Sequence, residues 1–138
     1  MALVLDTGPL LALLDADDRD HRRCAAMVHD LDEELVIPTL VLVELDYWLR
    51  KRDQRQVWSD FADDVRGGAY RLHHPDERDV SRSAALERQY ASLDLGVVDA
   101  SVIVACERLG ETKVATLNPR HFSVVRPHHC EALTLLPE

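Results

Sequence analysis

Apolar residues in this chain follow two patterns: short solid runs, and longer stretches in which they recur every three or four positions. The largely apolar runs at Leu3–Leu5, Leu35–Ile37, Lys113–Leu117 and Leu133–Leu136 have the length of buried strands. A further strand is expected at Ala69–His73, after the Gly67-Gly68 turn. The periodic stretches predict helices beginning near Leu10 and running over Asp20–Leu31, Thr39–Asp53, Gln54–Val65 and Ser81–Tyr90. Another is opened by Asp99 and stopped by Gly110. Strand and helix alternate along most of the chain, which predicts an α/β fold with a parallel sheet between helices. Pro, Gly and Ser are scattered, no repeat or low-complexity tract interrupts the pattern, and residues 1–138 are expected to form a single domain. A folded chain of about this length buries roughly 68–70% of its unfolded surface, enough for a real core.

Four of the apolar segments carry one polar residue against that pattern: Asp6 in LVLDTGP, Glu44 in VLVELDYWL, Asp99 in GVVDASVIVA and Asn118 in VATLNPRHF. Glu44 makes the strongest case. On the helix over Thr39–Asp53, polar Thr39, Asp46, Arg50 and Asp53 share one stripe, whereas the neighbours of Glu44 are Leu40, Val41, Tyr47 and Trp48, so Glu44 is expected to point inward. A buried carboxylate without a partner is neutralised or costs several kcal/mol, so a Glu there implies a partner. Asp6 ends a strand and precedes Thr7-Gly8-Pro9, at the sheet edge where open α/β folds bind ligands; a helix cap or Asx-turn explains it equally well. Asp99 shares the stripe of Val102, Ile103 and Cys106, opposite Ser101 and Arg108, and an acid favoured by the helix dipole is the plainer account of it. Asn118, before Pro119, reads first as a turn residue.

Taken together, two strand ends and two inward helix faces converge if they meet at one edge of a parallel sheet. Two carboxylates about 4 Å apart repel by roughly 4 kcal/mol at an effective dielectric of about 20, so three ionised acids need a compensating cation. Carboxylate and amide oxygens without interleaved Cys or His are hard ligands, which selects Mg²⁺ or Mn²⁺ over zinc.

The formal charge of −9 argues against a surface coated in basic patches. Local basic clusters remain at Arg19 to Arg23, at Arg50-Lys51-Arg52 with Arg55, and at Arg120-His121. The first two read as solvated helix faces, while Arg120 stands close to Asn118 and is the candidate phosphate contact. No segment is long and apolar enough for a membrane span, and the first residues lack the pattern of a signal peptide, so a cytoplasmic protein is expected. Three cysteines, Cys24, Cys106 and Cys130, without a CxxC spacing predict reduced thiols, and Pro127-His128-His129-Cys130 lacks the spacing of a zinc site.

The ordered set LVLDTGPLLALLD, PTLVLVELDYWL, LDLGVVDASVIVACERLG and VATLNPRHF resembles a PIN domain over nearly the whole chain, and within that family it is most similar to the VapC-type toxins of bacterial toxin–antitoxin pairs. The resemblance implies a PIN-like α/β/α sandwich with a central, mainly parallel sheet, and metal-dependent endoribonuclease activity on RNA with single-stranded or loop character. By the same resemblance Asp6 and Asp99 match acids that hold Mg²⁺ or Mn²⁺, and Glu44 matches the acid that orients or deprotonates the attacking water. Asn118 stands where the family often has Asp; its amide offers oxygen without charge, which bears on any second metal ion. By the same resemblance Thr7 and Thr116 are expected to add hydroxyls toward RNA, Arg120 to grip the scissile phosphate, and Asp94 to act as a loop or capping residue beside the site.

The family pattern further implies a VapB-type antitoxin with an arginine-bearing tail over the acids, Leu45, Tyr47, Trp48 and Leu49 as lining of an interaction groove or as core, and a homodimer. Two other enzyme classes are excluded: a haloacid-dehalogenase-type phosphatase needs a second Asp where Gly8 stands, and a receiver domain needs an acidic pair there. A catalytically silent PIN-like module that binds RNA or protein is the competing reading, and the uncharged Asn118 is its support.

Overall fold

Strand β1 (Ala2–Leu5) is the centre of the molecule. In the computed structural model, which describes residues 1–138, all four of its side chains are buried. Successive side chains on a strand point to opposite faces, so complete burial means that β1 is covered on both. It pairs in parallel with β2 (Glu34–Pro38) on one side and β4 (Lys113–Ala115) on the other. The edges are β3 (Arg71–His73) and β5 (Thr134–Leu136), giving an order β3-β2-β1-β4-β5 in which every pairing is parallel. The expected sheet was mainly parallel; the observed one is wholly so. Chain order runs outward from β1 to β3 and then returns to β4, so the direction of winding switches between β1 and β4, where a parallel sheet opens a crevice beyond its strand ends.

Helix α1 (Thr7–Leu14) packs against both α2 (His21–Leu31) and α3 (Val41–Lys51), and α3 in turn against α4 (Arg55–Arg66). Helix α5 (Glu77–Gln89) packs on α6 (Val97–Leu109), which rests on β1 and β2 and carries the short α7 (Pro119–Phe122) at its end. Every residue of α6 from Ala100 to Cys106 is buried. Ser101, expected on the outer face, is therefore inside, and it is satisfied there because its hydroxyl donates to the Val98 carbonyl at 2.6 Å.

Boundaries moved where capping chemistry outweighed periodicity. Helix α5 starts four residues before the expected Ser81, because Asp76 and Asp79 form a reciprocal capping box that fixes the first turn. Helix α1 begins at Thr7 rather than near Leu10, with Asp6 as its N-cap and Pro9 in the first turn, where a missing N–H does no harm. Strand β4 ends at Ala115, two residues short of the expected end, and the chain turns toward the crevice. Gly110 stops α6 as the sequence suggests, with φ of 68°.

The inward stripe of α3 is Val41, Leu45 and Leu49; Tyr47 and Trp48 are each 45% exposed, their rings edge to face with centroids 5.2 Å apart. The two aromatic residues named as neighbours of Glu44 thus do not enclose it, and Glu44 is half-buried at the margin of the helix. Leu45→Ala is expected to cost about 2–5 kcal/mol of stability and Tyr47→Ala no more than about 0.5 kcal/mol, as read from urea unfolding midpoints. Equal losses would mean that the helix is rotated from this orientation.

Candidate active site

Asp6 stands at the end of the central strand, on the switch point. Its backbone N–H continues the ladder by donating to the Ala115 carbonyl at 3.0 Å, and its side chain is buried. Thr7 N–H donates to Oδ1 at 2.8 Å and the Thr116 hydroxyl donates to Oδ2 at 3.1 Å. The Thr116 hydroxyl in turn accepts from Asn118 N–H at 3.1 Å, which folds the segment after β4 back over the acid.

The other two acids reach the same edge from helices. Glu44, in the first turn of α3, accepts a hydrogen bond from the Thr7 hydroxyl on Oε1 at 2.6 Å. Asp99, in the first turn of α6, accepts one from His121 Nδ1 on Oδ2 at 2.6 Å. Burial pushes the Asp6 carboxyl up to about 6, opposed by the Thr7 N–H bond; the negative charge of Asp99 pushes it further up, the Thr116 bond draws it down, and Glu44 adds a smaller push upward. Both acids are thus near enough to Asp6 for their charges to be felt.

The remaining candidates separate. Thr7 and Thr116 were expected to face RNA, but both are buried and their hydroxyls are donated to Glu44 and Asp6. Their role is to hold acids. Asn118 is exposed and caps α7 without a side-chain hydrogen bond, and Arg120 is exposed two residues further on. Asp94 is exposed in a left-handed conformation, φ 54°, closing the single turn at Ala91–Leu93. Among the basic clusters read as solvated helix faces, Arg50 pairs with Asp46 at 3.0 Å on the surface, whereas Arg52 is committed to Asp15 and Asp18 at 2.6 and 3.0 Å and so serves the fold. His121 was noted only as a basic neighbour of Arg120. Its pairing with Asp99, 22 residues away, has no local sequence signal.

No three acidic, histidine or cysteine side chains converge as a ready ligand cluster. Glu44 and Asp99 each lean on a donor of their own, as mutually repelling carboxylates do. The donor set nonetheless fits a hard divalent cation: Asp6 is a buried acid under like-charge pressure, and Asp99 Oδ1 and Glu44 Oε2 accept no hydrogen bond within the chain. A concavity of about 590 Å³ runs from Gly8 and Leu117 to the Asp15–Arg52 pair, and Asp17, Asp18, Arg19 and Asp20 also line it, whereas Asp6, Glu44 and Asp99 do not.

Comparison with known proteins decides the family: residues 3–126 match the PIN domain. The chain is a PIN domain. It is 28% identical over 135 residues to ribonuclease VapC26 of Mycobacterium tuberculosis, covering 98% of this chain and all of that protein. Among solved structures it resembles M. tuberculosis VapC20, described as a sarcin–ricin loop cleaving toxin, with a TM-score of 0.76 at 16% identity over 85% of this chain and 90% of that one. It also resembles VapBC2 of Rickettsia felis bound to a promoter DNA fragment, with a TM-score of 0.68 at 16% identity over 99% and 98% of the two chains. PIN-domain VapC nucleases are generally dependent on a divalent metal. No helix of this PIN domain is long and apolar enough to cross a membrane.

The raised carboxyl of Asp6 has a consequence for stability. Below about pH 4 the acid is protonated folded or unfolded and adds no cost. As pH rises toward 6 the unfolded chain loses the proton first, and above that the folded state carries the full penalty, roughly 3 kcal/mol for a shift from 3.8 to about 6. Asp6→Asn keeps an oxygen for Thr7 N–H and an NH₂ for the Thr116 hydroxyl but has no charge to bury. In chelator-treated protein at pH 7.5 it is expected to be more stable than the wild type by roughly 2–3 kcal/mol, with the gap closing by about pH 4. Urea unfolding at the two pH values measures it, and a gap that persists unchanged at low pH would contradict the charge-burial account.

Proposed function

We propose that this PIN domain is a VapC-type endoribonuclease, the toxin of a toxin–antitoxin pair, and that it hydrolyses RNA with the help of Mg²⁺ or Mn²⁺. The observation that carries this reading is a buried aspartate at the sheet's switch point, under the charge of two further acids delivered by α3 and α6. Such an arrangement is costly for a protein that only folds, and it suits one that binds a cation.

In this reading Asp6 and Asp99 hold the metal. A divalent ion bound there lowers the pKa of a water molecule and offsets charge developing on the phosphate. Glu44, with Oε1 fixed by Thr7, orients the attacking water or takes its proton through Oε2. Arg120, exposed and two residues beyond Asn118, grips the scissile phosphate, while Asn118 offers a neutral amide, so the acids present suit one ion better than two. A recessed site reached over an exposed rim favours RNA whose backbone is accessible, in single strands and loops.

An antitoxin partner is supported by the likeness to toxin–antitoxin structures and by two surfaces. Val43, Tyr47 and Trp48 leave apolar area exposed on α3. The concavity that starts at Gly8 is lined by four aspartates against two arginines, which favours a cationic segment such as an arginine-bearing tail.

Purified protein is expected to cleave structured RNA only with Mg²⁺ or Mn²⁺. Asp6→Ala or Asp99→Ala should abolish cleavage, and Arg120→Ala should raise KM more than it lowers kcat. RNA binding without metal-dependent cleavage would instead favour the silent-module reading, which the neutral Asn118 supports. Sequencing RNA 5′ ends after brief expression identifies the target and the cut together. A metal that binds only the folded state also stabilises it, by about 2.7 kcal/mol at 100 times its dissociation constant. The melting temperature of the wild type should therefore rise with Mn²⁺ and that of Asp6→Ala should not.

A further inference from the structure

Asp99 is the least enclosed of the acids assigned to the metal, its side chain 28% exposed, yet it is tied at 2.6 Å to a ring that is only 14% exposed. That ring belongs to His121 on α7, a helix of four residues anchored by the fully buried Phe122 next in sequence and packed on α6. The ring is therefore the fixed partner and the carboxylate the one being held. An ionised carboxylate only accepts hydrogen bonds, so Nδ1 carries the hydrogen and donates it to Oδ2, while Oδ1 accepts no hydrogen bond within the chain.

We propose that His121 is a positioning residue for the metal site: by holding Oδ2 of Asp99 it reserves Oδ1 for the cation. The inference rests on the proposed role of Asp99 as a metal ligand. Thr116 on Asp6 Oδ2 and Thr7 on Glu44 Oε1 are the corresponding donors for the other acids. Those two come from the segments bounding the crevice, whereas His121 comes from a separate helix that α6 and Phe122 keep in place. Without the ring, an acid this exposed samples several rotamers, and the cation has to order it on binding. Donors to metal ligands commonly change metal affinity by about 10–100-fold.

The test is calorimetric titration of Mn²⁺ into chelator-stripped wild type, His121→Phe and His121→Asn, with a metal-free urea unfolding curve for each. His121→Phe keeps the ring volume and removes the donor; His121→Asn places an amide N–H near the position of Nδ1. The phenylalanine variant is expected to bind Mn²⁺ about 10–100-fold more weakly with little change in its metal-free midpoint, and the asparagine variant to recover to within about threefold of the wild type. A merely structural His121 would shift the metal-free midpoint and leave the affinity of the folded protein alone. Wild-type affinity in His121→Phe, or equal losses in both variants, overturns the inference while leaving the metal site standing. An absence of Mn²⁺ binding in the wild type overturns both. Should His121→Phe fail to fold, His121→Leu against His121→Asn makes the same comparison.

Discussion

The rest of the site depends on a charge buried at the end of the most enclosed strand. β1 is covered on both faces, so whatever residue ends it is withdrawn from water, and an aliphatic side chain would satisfy that position without penalty. The chain places Asp6 there and supplies one N–H and one hydroxyl to hold it, which lessens the cost of desolvation without removing it. The capping role and the functional role are not rivals. As N-cap of α1, Asp6 uses Oδ1; Oδ2 has only the Thr116 hydroxyl, and a carboxylate oxygen has room for a further partner.

The fold brings the acids together by topology and leaves them held by few contacts. Reversal of strand order opens the sheet beyond β1 and β4, and α3 and α6 each present their first turn to that opening. The strong ion pairs lie away from it. Arg82 binds Glu107 through two 3.0 Å hydrogen bonds between α5 and α6, and Arg52 joins the end of α3 to the loop between α1 and α2. Bidentate and partly buried pairs of this kind fix helix positions more firmly than exposed ones. The scaffold is thus braced at a distance, while Thr7, Thr116 and His121 align the carboxylates locally.

Much of this was legible in the sequence because burial in a parallel sheet leaves solid apolar runs, and an acid set against such a run is visible in one dimension. Asp6, Glu44 and Asp99 stood out for that reason, and Gly110 marked the end of α6 through its backbone freedom. Three things were hidden. The orientation of α3 could not be read from Tyr47 and Trp48, since aromatic residues sit as readily on an exposed flank as in a core, and Val41, Leu45 and Leu49 form the true inward stripe. The start of α5 was set by Asp76 and Asp79, a capping box with Asp in place of the usual Glu or Gln. The threonines and His121 act on acids 22 to 110 residues away, and no periodicity records such pairings.

The electrostatic character of the chain follows from the same economy of contacts. A net charge of −9 repels a polyanion at long range, and most arginines near acids are already neutralised, among them Arg52, Arg71, Arg82 and Arg108. Lys113 is likewise committed to Glu33. Broad electrostatic capture, of the sort that depends on many phosphate contacts, is therefore disfavoured by the overall charge. On the proposed reading attraction would be concentrated at the site, where a divalent cation held by Asp6 and Asp99 would offset their charge and Arg120 would add one positive charge nearby. In that reading the acids that repel a polyanion when no metal is bound would be the same groups that let the metal-bound protein hold a single phosphate.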